Sequence, residues 1–213
     1  EITTRLVGSE MCIRDSDDRV CAYAELEALF SLDMPEKTAV CILADKEEIG
    51  SVGISGMQSH YFEHFMEGLC DAQGVKLSDC FANSFCLSAD VSNAFDPNWP
   101  ETCDKRNNSQ LNYGVAICKY TGSRGKGGAS DASAEAMGHV RSTLDKAGVI
   151  WQIATLGKVD QGGGGTVAAY MANRNIVTVD AGVPVLSMHA PLELVSKLDC
   201  YETMLACKAI YLA

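Results

Sequence analysis

Thr38-Ala39-Val40-Cys41-Ile42-Leu43-Ala44-Asp45-Lys46-Glu47-Glu48-Ile49-Gly50 is the stretch on which the reading of this chain turns. Residues 38–43 form a short apolar run, which predicts a buried strand of a mostly parallel sheet. Open α/β sheets bind ligands at the carboxyl ends of their strands, so Glu47 and Glu48 would stand where sites are built. Neighbouring side chains at a strand end point in different directions, so one carboxylate can hold a metal while the other handles a proton. An isolated Glu-Glu pair is more often a solvated acidic turn. Weight comes from acidic and histidine residues at other predicted strand ends.

Those ends follow on both sides. Asp17-Asp18-Arg19 opens a helical pattern in which Ala22, Leu26, Leu29 and Phe30 share one face, and an Asp there also serves as an ordinary N-cap. Beyond Gly50, Gly53 and Gly56, the fourfold repeat of Met57, Tyr61, Phe65 and Leu69 predicts a core-facing helix. His60 and His64 lie on it at i, i+4, a metal-ligand spacing, but without the HExxH pattern they read as partly exposed structural histidines. Phe85–Ala89 is a second apolar run, ending at Asp90 before a loop rich in Asn, Asp and Pro. Residues 113–120 and 151–154 read as strands, and 131–147 as a helix with Asp131 and Glu135 in its first turn. The glycine-rich turn 122–130 matches neither GxxxxGKS/T nor GxGxxG, so it is weak as a phosphate loop. Asp160-Gln161-Gly162-Gly163-Gly164-Gly165-Thr166 precedes a helix toward Ala172 and is either a ligand-approaching loop or a flexible connector. Residues 176–179 and 183–188 are β-branched runs, the second ending at His189. Leu194, Leu198, Tyr201, Leu205, Ala209 and Leu212 predict a buried seam on the last helix.

Composition narrows the class. At 213 residues and 47% hydrophobic content, the chain can bury one sizeable core. A formal charge of −11 and no Lys/Arg patch argue against a nucleic-acid surface. Ten cysteines occur without a CxxC pair, mostly inside apolar runs, which fits a reduced protein rather than a disulfide framework or a zinc-thiolate site. No run approaches the length of a membrane span, and the expectation is a soluble, cytoplasmic protein. Residues 7–16 (VGSEMCIRDS) resemble a translated sequencing adapter, so 1–16 are set aside as non-native and 17–213 taken as the fold.

Collected, Asp17, Glu47, Glu48, Asp90 and His189 are a carboxylate–imidazole set of the kind two divalent ions need, with one carboxylate left over as a base. With these residues in place, the sequence resembles the aminopeptidase I / aspartyl aminopeptidase family of dinuclear zinc exopeptidases. The motifs that carry it are DDRVCAY at 17–23, DKEEIGS at 45–51, SADVSNA at 88–94, KGGASDASAE at 126–135, DQGGGGT at 160–166 and VLSMHAP at 185–191. The glycine-rich version is closer to the bacterial aminopeptidase I branch. The resemblance implies a three-layer α/β/α catalytic domain with a mostly parallel sheet, and a zinc-dependent aminopeptidase that uses a metal-activated bridging water. It implies Asp17, Glu48, Asp90 and His189 as ligands of two zinc ions, cobalt or manganese being possible substitutes, with Asp17 bridging. It makes Glu47 the general base. It further implies peptide substrates, a homo-oligomeric parent, and a 160–166 loop lining the substrate site. The family's N-terminal elements, with one histidine ligand, and its lid domain have no counterpart motif here, so the chain is expected to be a C-terminal part whose own activity is in question.

Two rival readings share these residues. A dinuclear deacylase or carboxypeptidase-type hydrolase would use the same metal logic and be separated by acetylated substrates. A non-catalytic anion- or nucleotide-binding module built on the glycine-rich loops would bind its ligand regardless of chelation or of Glu47→Gln.

Overall fold

The computed structural model describes residues 16–124, 127–158 and 160–213. The expectation for residues 1–16 therefore lies outside the described residues except for Ser16. Elements in chain order are α1 (Ser16–Phe30), α2 (Tyr61–Gln73), α3 (Leu77–Ala82), β1 (Phe85–Ala89), β2 (Ser92–Asn93), β3 (Val115–Cys118), β4 (Tyr120–Ser123) and β5 (Gly127–Asp131). They continue with α4 (Ala134–Ala147), β6 (Trp151–Ala154), α5 (Ala168–Ala172), β7 (Val177–Gly182), β8 (Pro184–Leu186), β9 (Leu194–Val195) and α6 (Lys197–Tyr211).

The central sheet has the order β1-β7-β3-β6. β1 runs parallel to β7, and β3 parallel to β6, while β3 and β7 are antiparallel, so the sheet is mixed with most of its ladders parallel. Alternation along the strands feeds two cores, as period-2 side chains must. Val115, Ile117, Val179 and Ala181 face α4 and α6 through Val140, Leu144 and Ala206. On the opposite side Cys86 joins a cluster of Phe62, Met66, Phe81 and Met171 from α2, α3 and α5, with Ile176 just before β7. Helices thus cover both faces, the expected three-layer α/β/α arrangement. A small sheet, β2-β8-β9, adjoins it, and Val183 and Val185 pack there on Cys21 of α1.

Several sequence expectations are corrected. The strand expected at 38–43 is absent as a strand, although Val40, Ile42 and Ala44 do pack on the core. A cavity of about 420 Å³ separates Thr38–Cys41 from Phe85–Leu87 of β1, so no ladder closes between them. Helix faces are rotated from the predicted ones. α1 buries Cys21, Ala24 and Ala28, small residues that let it lie close against α6, while Phe30 is 72% exposed. α2 buries Phe62, Met66 and Cys70, leaving Tyr61 and Phe65 in solvent. In α6 the buried positions are Asp199, Glu202, Thr203, Ala206 and Cys207; of the predicted seam, Leu205 and Ala209 pack against the core, whereas Leu198, Tyr201 and Leu212, with Leu194 on β9, are exposed. The reason is polar: Asp199 accepts backbone N–H bonds from Asn112 and Gly114 at 2.8 Å each, and Glu202 accepts one from Ile150 at 2.9 Å. A helix face that terminates strand-flanking loops must carry acceptors, because buried amides need partners.

The glycine-rich turn 122–130 falls on the β4–β5 hairpin, whose Gly125 and Lys126 lie outside the described residues. α4 starts three residues later than predicted, capped by the Ser133 hydroxyl, which accepts from Ala136 N–H at 3.1 Å. Among the described residues no helix is long and apolar enough to cross a membrane.

Candidate metal centre

Each predicted site residue is delivered by a different local device. Asp17 and Asp18 open α1 but have non-helical backbone angles (φ −98°, ψ 98° and φ −125°, ψ 36°), so the regular helix begins after them. Glu47 and Glu48 sit on a 3-10 turn, Glu47–Ile49, pinched between Lys46 (φ 64°) and Gly50 (φ 93°) and closed by Ser51 N–H donating to Lys46 O at 2.7 Å. Asp90 follows β1, its N–H donating to Ala181 O at 3.3 Å. Beside it Gly182 is obligatory, since a β-carbon there would lie 1.6 Å from Asp90 O. His189 ends a turn after β8, itself at φ 63° behind Ser187 at φ 60°. The residues therefore do not share the rim of one sheet, as the sequence reading expects. They come from a helix start, a 3-10 turn, the end of edge strand β1 and the turn after β8.

They nevertheless meet. His189 Nε2 lies 2.8 Å from Asp17 Oδ2 and 2.8 Å from Glu48 Oε1. One donor atom from each of the three falls within 4.8 Å of the others. Asp17, Glu47, Glu48, Asp90 and His189 all line a single cavity of about 390 Å³, with Gly162–Gly165 forming another part of its wall. The 160–166 loop is anchored by Thr166, whose hydroxyl donates to the buried Asp180 carboxylate at 2.7 Å. Asp90 lies outside the tight group of three.

Electrostatics follow from crowding carboxylates around one imidazole. Burial first, then Glu48 and Asp17, pushes Glu47 from 4.5 up to about 7, with His189 pulling the other way. Burial and the neighbouring Asp18, Asp17 and Glu47 hold Asp90 well above the usual carboxylate range. Hydrogen bonds to Asp17 and then Glu48 raise His189 from 6.5 to about 10, so the protonated ring bridges both carboxylates. A divalent cation fits this donor set. Carboxylate oxygens and an imidazole nitrogen converge on one point, with His189 Nε2 2.8 Å from both Asp17 and Glu48.

Other candidates resolve differently. His60 precedes α2, with Nδ1 2.6 Å from Glu63, and its ring stacks 6.2 Å from that of His64, in keeping with structural histidines. Two residues escaped the sequence reading. Glu193, buried, accepts N–H bonds from both His189 and Asp17, and Asp180 anchors Thr166. Glu193 binds backbone amides and Asp180 binds hydroxyls from other elements, and neither arrangement carries a spacing signature, so nothing in the sequence marks either one.

The profile of the family described as aminopeptidase I zinc metalloprotease (M18) matches residues 5–211. This chain belongs to the M18 aminopeptidase family. It is 50% identical over 191 residues to a probable M18 family aminopeptidase 1 of Clostridium acetobutylicum, which covers 88% of this chain and 41% of that protein. A crystal structure of an M18-family aminopeptidase from Thermotoga maritima superposes with a TM-score of 0.88 at 44% identity, covering 92% of this chain and 44% of that one. Aminopeptidase I from Clostridium acetobutylicum superposes with a TM-score of 0.86 at 47% identity, covering 92% and 43%. The M18 chain thus spans less than half the length of the relatives it matches.

Proposed function

We propose that this chain carries the catalytic part of a zinc-dependent aminopeptidase that removes the N-terminal residue from peptides. One observation carries the reading: Asp17, Glu48 and His189 bring donor atoms within 4.8 Å of one another, inside a cavity that also holds Glu47 and Asp90. Asp17, Glu48, Asp90 and His189 would hold two divalent ions, zinc by the family's description and cobalt or manganese as substitutes. When bound, such ions supply Lewis acidity and lower the pKa of water.

The chain's own groups do the rest. Glu47 is the general base: with a pKa raised to about 7, its carboxylate can take a proton at neutral pH and give it up again to a departing amine. Gly162–Gly165 leave the cavity wall free of side chains, so an extended peptide can approach the loop backbone closely. The exposed apolar side chains Leu194, Leu198 and Tyr201 support a homo-oligomeric assembly of the whole protein.

The test is a chimera in which residues 16–213 replace the matching segment of the Clostridium acetobutylicum enzyme. Leucyl, aspartyl and acetyl-amino-acid substrates are assayed side by side with zinc. Hydrolysis of unblocked substrates, lost on Glu47→Gln by about 10²–10⁴-fold with metal still bound, supports the reading. Hydrolysis of the acetylated substrate alone would replace it with a deacylase, and activity indifferent to chelation would end it.

A further inference from the structure

Resting on the metal-centre reading above, we propose that Glu193 is a positioning residue that locks the backbones of Asp17 and His189 together, presetting the distance between two ligands from opposite ends of the chain. Its side chain is buried, with 6% of the residue exposed. Oε1 accepts the His189 N–H at 2.7 Å, and Oε2 accepts the Asp17 N–H at 3.1 Å. These are the two residues whose side chains meet at 2.8 Å on the other side of the backbone. One carboxylate therefore reads the main chain of both ligands at once.

The setting explains why such a clamp is needed. Asp17 precedes the regular part of α1 and is not held by helical geometry. His189 has φ 63°, a conformation that a residue with a β-carbon adopts only when its surroundings impose it. Glu193 is itself fixed, standing one residue before β9, whose pairing Leu186↔Leu194 and Val185↔Val195 ties it to β8. The chemistry also favours a glutamate over its nearest analogues. A glutamine has one acceptor oxygen, and its NH₂ would face an N–H donor; an aspartate is one methylene too short to span both amides. Placing another carboxylate beside acidic ligands is unfavourable, so its presence here points to the two charge-assisted bonds as its purpose.

The experiment uses the full chain, freed of metal and titrated with Co²⁺, whose visible absorption reports ligand geometry. Wild type, Glu193→Gln and Glu193→Asp are compared with Asp199→Asn, a buried change remote from the centre, at a temperature where all are folded. Loss of an outer-shell partner typically costs 10–100-fold in metal affinity, and that weakening with an altered absorption band is expected for Glu193→Gln but not for Asp199→Asn. Unchanged affinity and spectrum in Glu193→Gln would overturn the proposal while leaving the metal centre intact. Failure of the wild type to bind Co²⁺ would sink the metal-centre reading and this inference with it. Should the variants not fold, amide exchange in the wild type decides. The Asp17 and His189 N–H groups must be protected in the metal-free protein, and exchange at the rate of open loop amides refutes the clamp.

Discussion

Glu25 is a carboxyl on the buried side of α1, facing the cavity that separates Thr38–Cys41 from β1. Burial raises it from 4.5 to about 8, against smaller opposing pulls from the Ala89 backbone N–H and the Cys41 thiol, whose Sγ lies 3.9 Å from Oε2. The sign of its effect on stability is therefore fixed. Below pH 4.5 the carboxyl is protonated in both folded and unfolded chains and pH has no leverage through it. Between 4.5 and about 8 the unfolded chain ionises while the folded chain stays neutral, so stability falls as pH rises, and above 8 the loss is complete. At about 1.4 kcal/mol per pH unit across that window, the loss is roughly 3–5 kcal/mol. Glu25→Gln keeps an acceptor for Ala89 and removes the titration. Urea unfolding of both proteins at pH 5, 6, 7 and 8, with chelator present to exclude metal linkage, measures the difference. The variant should gain on the wild type progressively, by a few kcal/mol at pH 8. Parallel profiles from pH 5 to 8 would show that Glu25 is ionised or hydrated in the folded protein, and the reasoning would fail.

Asp199→Ala leaves the buried Gly114 N–H without an acceptor, while the N–H of the exposed Asn112 can turn to water; at about 1–3 kcal/mol for the buried group it should destabilise the chain by roughly that amount, read from urea midpoints. Gly182→Ala drives a β-carbon into Asp90 O, 1.6 Å away; it should cost at least about 1–3 kcal/mol and weaken Co²⁺ binding together with stability. Zinc binding should displace the His189 proton, whose folded pKa of about 10 makes affinity rise with pH between 6 and 9; calorimetry in two buffers of different ionisation enthalpy would reveal proton release, and its absence would contradict the raised pKa. Adding zinc at 100 times its dissociation constant should stabilise the wild type by about 2.7 kcal/mol in thermal melts, an increment that EDTA abolishes.

What the sequence made legible was whatever local period and chemistry determine. The mostly apolar runs at 85–89 and 151–154 are strands with those bounds, although both are only partly buried. The candidate site residues were legible as types at element ends, and the cavity gathers them. Helix faces were not. In α2 the fourfold repeat of Tyr61 and Phe65 points outward, while Phe62 and Met66, one residue on, point in. Both sets have the same period, so periodicity cannot choose between them without the neighbouring layer. In α6 the buried stripe contains Asp199 and Glu202, which a hydrophobic count discards, although their bonds to loop amides place them there. The run at 38–43 has the composition of a strand, but strandhood depends on a partner ladder, and it lines a cavity opposite β1 without pairing to it.

The same distinction explains the metal centre. Side chains that would touch a ligand are recognisable, since few other roles ask for carboxylate and imidazole at successive element ends. Groups that hold those side chains in place bind backbone amides, as Glu193 does, or hydroxyls distant in the chain, as Asp180 does, and such partners leave no local pattern. Glu193 and Asp180 are therefore invisible in the sequence but evident in the structure, where each is buried and spends its oxygens on neighbours of the cavity. The centre thus has two kinds of carboxylate. Of those lining the cavity, Glu47 and Asp90 have pKa values raised by burial and by neighbouring carboxylates, and a cation would relieve that crowding. Those behind it have theirs raised by burial too, but the N–H and hydroxyl groups that donate to them pull the other way. A carboxylate's partners, more than its distance from the cavity, decide whether it waits for a metal or holds the frame that receives one.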